Sequence, residues 1–196
     1  SLARHLAGDY TVIAVARRLD RLSGELGNTP GVRIERLDLS MTDELSRFLD
    51  GLVADYGFVP YLINNAGVNV KAPLPELDPK TLARSFAVNA IAPAVIMRYL
   101  LPLMAERGFG RVINITSGAP FNCFPGFGAY SASKGALNAL TVTAANEYEE
   151  HNIKVNLMSP GPVRTEMAPQ AEMDPSVCHP TVDYLLSLDH DGPTGR

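Results

Sequence analysis

The sequence predicts an α/β protein: a doubly wound parallel sheet in three α/β/α layers. Two observations predict it. Five short apolar runs, rich in β-branched residues, alternate with longer stretches whose apolar residues recur at helical spacing. The composition, 46% apolar and 19% charged, is that of a chain that buries a core, and it excludes a disordered tail or a coiled coil. At roughly 150 residues per domain, 196 residues make a single domain over 1–196.

Each element has its own signal. Tyr10–Ala16 is a continuous apolar run, the mark of a strand covered on both faces. A helix follows, with Leu19, Leu22 and Leu26 on one side and Gly27-Asn28 as its stop. Val32–Leu37 reads as the second strand. Ser40–Tyr56 is amphipathic, with Leu45, Phe48, Leu49 and Leu52 on one stripe and Gly57 beyond its end. Tyr61–Asn64 is the third strand, Pro79–Arg107 a long helix stopped by Gly108, and Arg111–Thr116 the fourth strand. Ala129–His151 is a second long helix and Lys154–Met158 the fifth strand. From Ser159 onward Pro and polar residues dominate, and the tail reads mostly as loop.

Charge and composition exclude several functions. Seventeen basic against twenty-one acidic residues leave a net charge of −4, without the basic excess that nucleic acid or an anionic membrane demands. The most apolar stretch, residues 90–105, is interrupted by Pro93, Arg98 and Pro102. The first ten residues carry no hydrophobic signal region, so a cytoplasmic location is expected. Cys123 and Cys178 form no CxxC pair, and His5, His151, His179 and His190 show no ligand spacing, so no metal is expected. Asn114-Ile115-Thr116 matches a glycosylation acceptor but sits inside an apolar run, and reads as buried strand.

A doubly wound sheet binds its ligand beyond the carboxyl ends of its strands. Those ends are Arg17-Arg18, Asp38-Leu39, Asn64-Asn65-Ala66-Gly67, Thr116-Ser117-Gly118 and the segment Ser159–Thr165. Just after the fourth lies Tyr130-Ser131-Ala132-Ser133-Lys134, where Tyr130 and Lys134 share one helix face. A free tyrosine has a pKa of about 10. Bringing it near neutrality takes roughly 3–4 kcal/mol. A cation about 4 Å away supplies up to about 4 kcal/mol at an effective dielectric near 20. On that arithmetic Lys134 makes Tyr130 a general acid and base. Alone, a Tyr-x-x-x-Lys pair reads as a surface helix pair. Ser117, thirteen residues upstream at a strand end, sets this one apart.

Together, NNAG at Asn64–Gly67, ITS at Ile115–Ser117, YSASK at Tyr130–Lys134 and SPGPVRT at Ser159–Thr165 resemble the short-chain dehydrogenases/reductases in order and spacing. The resemblance covers nearly the whole chain and implies a Rossmann-like NAD(P)-binding domain. It also implies carbonyl–alcohol interconversion by hydride transfer in a carbonyl-reductase-like member. By that likeness Ser117, Tyr130 and Lys134 are catalytic, and Asn89 in FAVNAIAP holds a water that continues a proton relay through Lys134. A plain helix-interior asparagine is the competing reading of Asn89. The likeness also puts Asp38 and Leu39 at the adenine, and Asn65, Ala66 and Gly67 along its ribose. Lys134 binds the nicotinamide ribose beside Tyr130, and Pro160, Gly161, Val163 and Thr165 surround the nicotinamide. Ala16 stands where an acidic residue would bond the ribose 2′-hydroxyl, and the next two residues are Arg17 and Arg18. Guanidinium forks suit a 2′-phosphate, so NADP(H) is expected to be preferred over NAD(H). Two solvated surface arginines are the alternative.

The departures are at the ends. No GxxxGxG precedes Tyr10, and Ser1–Ala7 resembles the latter half of the helix that follows such a loop. The expectation is that a preceding segment carries the pyrophosphate site and the central strand, without which two strand edges go unpaired. Asp191–Gly195 resembles the turn into the family's last strand, which is expected after Arg196. The two long helices look like the family's dimer interface, so a homodimer or homotetramer is expected. Phe121, Asn122, Cys123, Phe124 and Phe127, with the stretch Glu166–Val177, are expected to wall a pocket for a moderately apolar ketone, aldehyde or alcohol. No histidine is placed to activate Cys123. A serine hydrolase is excluded by the lack of a GxSxG elbow. A dinucleotide-binding sensor or scaffold without catalysis is the remaining alternative.

Overall fold

The five apolar runs are the five strands. In the computed structural model, which describes residues 1–196, they are β1 (Val12–Ala16), β2 (Val32–Arg36), β3 (Tyr61–Asn64), β4 (Gly110–Ile115) and β5 (Ile153–Met158), and every ladder is parallel. The helices are α1 (Leu2–Leu6), α2 (Leu19–Leu26), α3 (Thr42–Tyr56), α4 (Pro79–Phe86), α5 (Ala92–Glu106), α6 (Ala119–Asn122), α7 (Gly128–Glu147) and α8 (His179–Leu186).

Strand alternation builds the three layers. In β4, Val112 turns to one face, where Leu45 and Leu49 of α3, Met97, Leu100 and Met104 of α5 and Ala145 of α7 close the larger core. Ile113 and Ile115 turn to the other, against Leu6 of α1 and Val182 and Leu186 of α8. Gly110 is where α5 and β4 come closest: a Cβ there would stand 2.6 Å from the Met104 sulfur. Asn114, of the glycosylation-like tripeptide, is fully buried in β4.

The sheet is in two parts, β1-β2 and β3-β4-β5, with no ladder between β1 and β3. These are the two unpaired edges expected from the sequence. Side chains bridge them: the Tyr10 and Tyr61 rings meet edge-on at 5.0 Å, and Val12 and Ile63 pack on the same buried cluster. At the far edge, the residues before and at Arg196 already pair with β5. The Gly195 N–H donates to the Val155 carbonyl (2.9 Å), the Leu157 N–H to that of Arg196 (2.6 Å), and the Asn156 carboxamide holds Pro193 and Arg196.

Other boundaries move for local reasons. Tyr10 belongs to the turn that closes α1, its N–H bonded to the Leu6 carbonyl, so β1 starts at Val12. α7 ends at Glu147, four residues short of the expected end. The tail is not all loop: α8 forms within it, with Pro180 in its first turn, where a missing N–H costs nothing. Pro79–Arg107 is a nearly continuous helix interrupted by a π-helical turn over Ala87–Ile91. By length and composition this helix could cross a membrane. Here its apolar side (Ile96, Met97, Leu100, Leu101, Met104) packs into the core.

Candidate active site

Because all ladders are parallel, the strand ends named above converge on one edge. Tyr130 and Lys134 stand on the first two turns of α7, both buried. Lys134 Nζ donates to the carbonyl of Ile115, the last residue of β4, at 2.6 Å. An ammonium has three donors, and the protein supplies no acceptor for the other two. Burial without a carboxylate partner pulls the Lys134 pKa down to about 8.

Tyr130 departs from the expectation. Burial raises its pKa, opposed by the Ser117 side chain. The physical reason is that the ammonium turns to the Ile115 carbonyl, while desolvation acts on phenol and lysine alike. Ser117 is oriented by the turn into α6, its Oγ accepting the Ala119 N–H at 3.1 Å.

Asn89 lies in the π-helical turn and is fully buried. Its Oδ1 accepts the Val68 N–H (2.8 Å), and its Nδ2 donates to the Val68 carbonyl (2.9 Å) and to Ser133 Oγ (2.9 Å). The side chain thus clamps the loop after β3 to α7. Both of its side-chain donors are committed in this way. Gly67 sits in the same corner: a Cβ there would stand 3.4 Å from Asn89 Oδ1 and 3.6 Å from Lys134 Nζ.

At the other end of the crevice, Arg17 lies 4.0 Å from Asp38, whose carboxyl is pushed up by burial but held lower overall by two hydrogen bonds from Ser40 and by Arg17. Arg18 and Arg21 both pair with Glu166, which lies just past Thr165. After β5, Val163 is buried while Pro160 is half-buried and Gly161 and Thr165 are exposed. Of the residues expected to wall the pocket, Phe124 and Phe127 meet edge-on at 6.0 Å and Phe127 meets Tyr130 at 6.4 Å, while Phe121 and Phe124 are exposed. Cys123 is exposed and adopts the left-handed backbone region, with φ of 47°.

The family profile described as short chain dehydrogenase matches residues 1–175. The chain belongs to that family. Among its relatives, it is 32% identical over 176 residues to carbonyl reductase [NADPH] 2 of Sus scrofa, covering 89% of this chain and 70% of that protein. It is 30% identical over 152 residues to 2-dehydro-3-deoxy-D-gluconate 5-dehydrogenase of Formosa agariphila, covering 78% of this chain and 56% of that one. This short-chain dehydrogenase chain therefore spans little more than half the length of the latter. It also superposes on 4-hydroxyisoleucine dehydrogenase complexed with NADH and succinate, with a TM-score of 0.90 and 26% identity over 99% of this chain and 88% of that one.

Three features of this short-chain dehydrogenase were missed in sequence. Asn64 Nδ2 donates to Asn114 Oδ1 (2.7 Å), and Asn114 Nδ2 to Thr141 Oγ1 (2.8 Å), a buried network that locks the ends of β3 and β4 to α7. The two asparagines occupy the same register in adjacent strands, a readable signal once the pairing is known. Ser133 carries the Asn89 clamp onward, its hydroxyl donating to the Tyr130 carbonyl (2.9 Å). Glu166 and Arg18 are 148 residues apart, and no local pattern links them.

Proposed function

We propose that this chain is the cofactor-binding and catalytic part of an oxidoreductase that interconverts a carbonyl compound and its alcohol, with NADP(H) preferred over NAD(H). One observation carries the reading: on the strand-end edge where Ser117 closes β4, Tyr130 stands one turn from a buried Lys134 that retains two N–H donors for a ligand. NADPH in the name of the pig relative and the NADH complexed with the structural neighbour support a nicotinamide dinucleotide.

The residues present fit such a cofactor. Gly67 packs close to Asn89 and to the Lys134 ammonium, whose remaining donors are unused, and small or polar residues line the strand ends. Lys134 and Tyr130 would hold the nicotinamide ribose, Asn65, Ala66 and Gly67 the adenine ribose, and Asp38 and Leu39 the adenine. Arg17 and Arg18 would hold a 2′-phosphate, and Pro160, Gly161, Val163 and Thr165 the nicotinamide. When bound, the nicotinamide supplies or accepts the hydride.

The chain's own residues handle the proton. Ser117 donates to the substrate oxygen and orients it toward Tyr130. Tyr130 would give its proton to the carbonyl oxygen in reduction and take it back from the alcohol in oxidation. Asn89 would act by position, its clamp on Val68 and Ser133 fixing the loop beside Lys134, and would hold the water that continues the proton relay through Lys134. The deciding experiment follows the absorbance of reduced nicotinamide with a panel of ketones and aldehydes and each cofactor. Tyr130→Phe should abolish turnover while cofactor binding persists. Binding without turnover in the wild type would favour a sensor.

The same reading includes a homo-oligomer. Phe86, Ile91, Val95, Ala136 and Leu140 line an open groove of about 520 Å³ between α4–α5 and α7, and Ile91 is 46% exposed. Ile91→Arg should shift the light-scattering mass toward the monomer. A cytoplasmic location belongs to this reading too, since both thiols are free.

A further inference from the structure

The loop after β3 carries a cation to the wall of the cleft. The segment is pinned at both ends: Asn89 holds Val68 by two hydrogen bonds, and the Ala72 N–H donates to the Gly126 carbonyl at 3.0 Å. Between the pins stands Lys71, with its ammonium 4.8 Å from the centre of the Phe127 ring. Phe127 is the ring that meets Tyr130 edge-on at 6.4 Å. The Phe127 ring is thus shared, in contact with both the Lys71 ammonium and the Tyr130 ring.

Two properties set this lysine apart from a solvated surface cation. No carboxylate lies within ion-pairing distance of it, although Arg17, Arg18, Arg21 and Arg164 around the same crevice are all paired. The residues beside it and beside Phe127 are apolar and exposed: Val70 (45%), Leu74 (79%) and Phe124 (54%). A ring that holds an ammonium in place contributes about 0.5–1 kcal/mol at an exposed site and leaves its outer donors open. An uncharged wall with one fixed positive charge recognises a molecule that is apolar along its length and anionic at one end. The single ammonium matches a monoanion. A phosphate dianion calls for further donors, which Val70, Leu74 and the phenylalanines lack.

We propose that Lys71 is a specificity-determining residue that receives a carboxylate of the substrate, so that the substrates are oxo acids whose carbonyl and carboxylate lie about one aromatic ring apart. The proposal rests on the carbonyl-reducing function above for its chemistry, and it adds the class of compound reduced. No bond is made or broken at Lys71; it binds.

The test compares kcat/KM for straight-chain oxo acids of increasing length with their methyl esters, and with a neutral methyl ketone, in the wild type, Lys71→Met and Lys71→Arg. At the best length the acid should exceed its ester by roughly tenfold, as for one charge-assisted contact. Added salt should erode that preference. Lys71→Met should bring the ratio near one and leave the neutral ketone unchanged, while Lys71→Arg keeps most of it. A wild type with no preference for acids at any length, or a preference that survives Lys71→Met, overturns the proposal. Turnover of the neutral ketone tests the oxidoreductase reading separately. Should nothing be turned over, calorimetric titration of wild type and Lys71→Met with the same acids decides, and binding indifferent to Lys71 overturns the proposal.

Discussion

Pro93 stands four residues beyond Asn89 in the same helix, and so offers no N–H to the Asn89 carbonyl that an α-helix would pair with it. The chain answers with the π-helical turn at Ala87–Ile91, in which the Ala92 N–H bonds to the carbonyl of Ala87. In that turn the Asn89 side chain lies inside, where it grips Val68 and Ser133. One proline thus connects helix geometry to the floor of the active site.

Pro93→Ala should let the helix relax toward the α register. An interior proline costs roughly 3 kcal/mol, so the variant should hold or gain thermal stability. Activity should fall about tenfold as the clamp shifts, the barrier rising by about 1.4 kcal/mol. Amide exchange across residues 88–94 should slow. Full activity in a protein whose exchange has slowed would separate the π turn from function.

Asn89→Leu tests the clamp directly. It takes the partner from the half-buried Val68 N–H and carbonyl, while the Ser133 hydroxyl keeps its bond to the Tyr130 carbonyl. Losing these bonds should cost about 2–4 kcal/mol in urea unfolding, against less than about 0.5 kcal/mol for a surface change. A loss below about 1 kcal/mol, a bound set by that same scale, would mean the loop finds other partners.

Strands buried on both faces are apolar runs, so their existence was legible, as were the long helices. The candidate site could be placed because parallel strands end on one edge and Tyr130 and Lys134 are one turn apart. What was not legible depended on three-dimensional burial. Spacing alone puts Lys134 near Tyr130 and predicts a lowered phenol pKa. The folded chain instead aims the ammonium at Ile115 and buries the phenol, which reverses the sign. The helix α8 was hidden by its brevity, since Val182, Leu185 and Leu186 make barely two turns inside a polar tail.

Glu166 should compete with a 2′-phosphate for Arg18 and Arg21. Glu166→Gln should therefore tighten NADPH severalfold and change NADH little, because only the phosphate needs those guanidinium groups. Arg17→Ala with Arg18→Ala should weaken NADPH much more than NADH. Fluorescence titration of each variant with both cofactors reads the four constants. Equal effects on the two cofactors would defeat the assignment of the arginines.

Lys134 makes stability depend on pH in a definite direction. Its folded pKa of about 8 lies below the ordinary 10.5. Below pH 8 both folded and unfolded chains carry the proton, and the full cost of burying the ammonium stands. Between the two values the unfolded chain keeps a proton that the folded chain has released. Unfolding then takes up a proton, and stability rises with pH. The whole window is worth about 3 kcal/mol at about 1.36 kcal/mol per pH unit. Other groups titrate there as well, so the quantity to measure is the difference from Lys134→Met. Urea midpoints of the two proteins, followed from pH 7 upward, should move in the wild type's favour above pH 8. A constant difference would mean that the folded chain keeps this proton, and that the ammonium has found partners beyond Ile115.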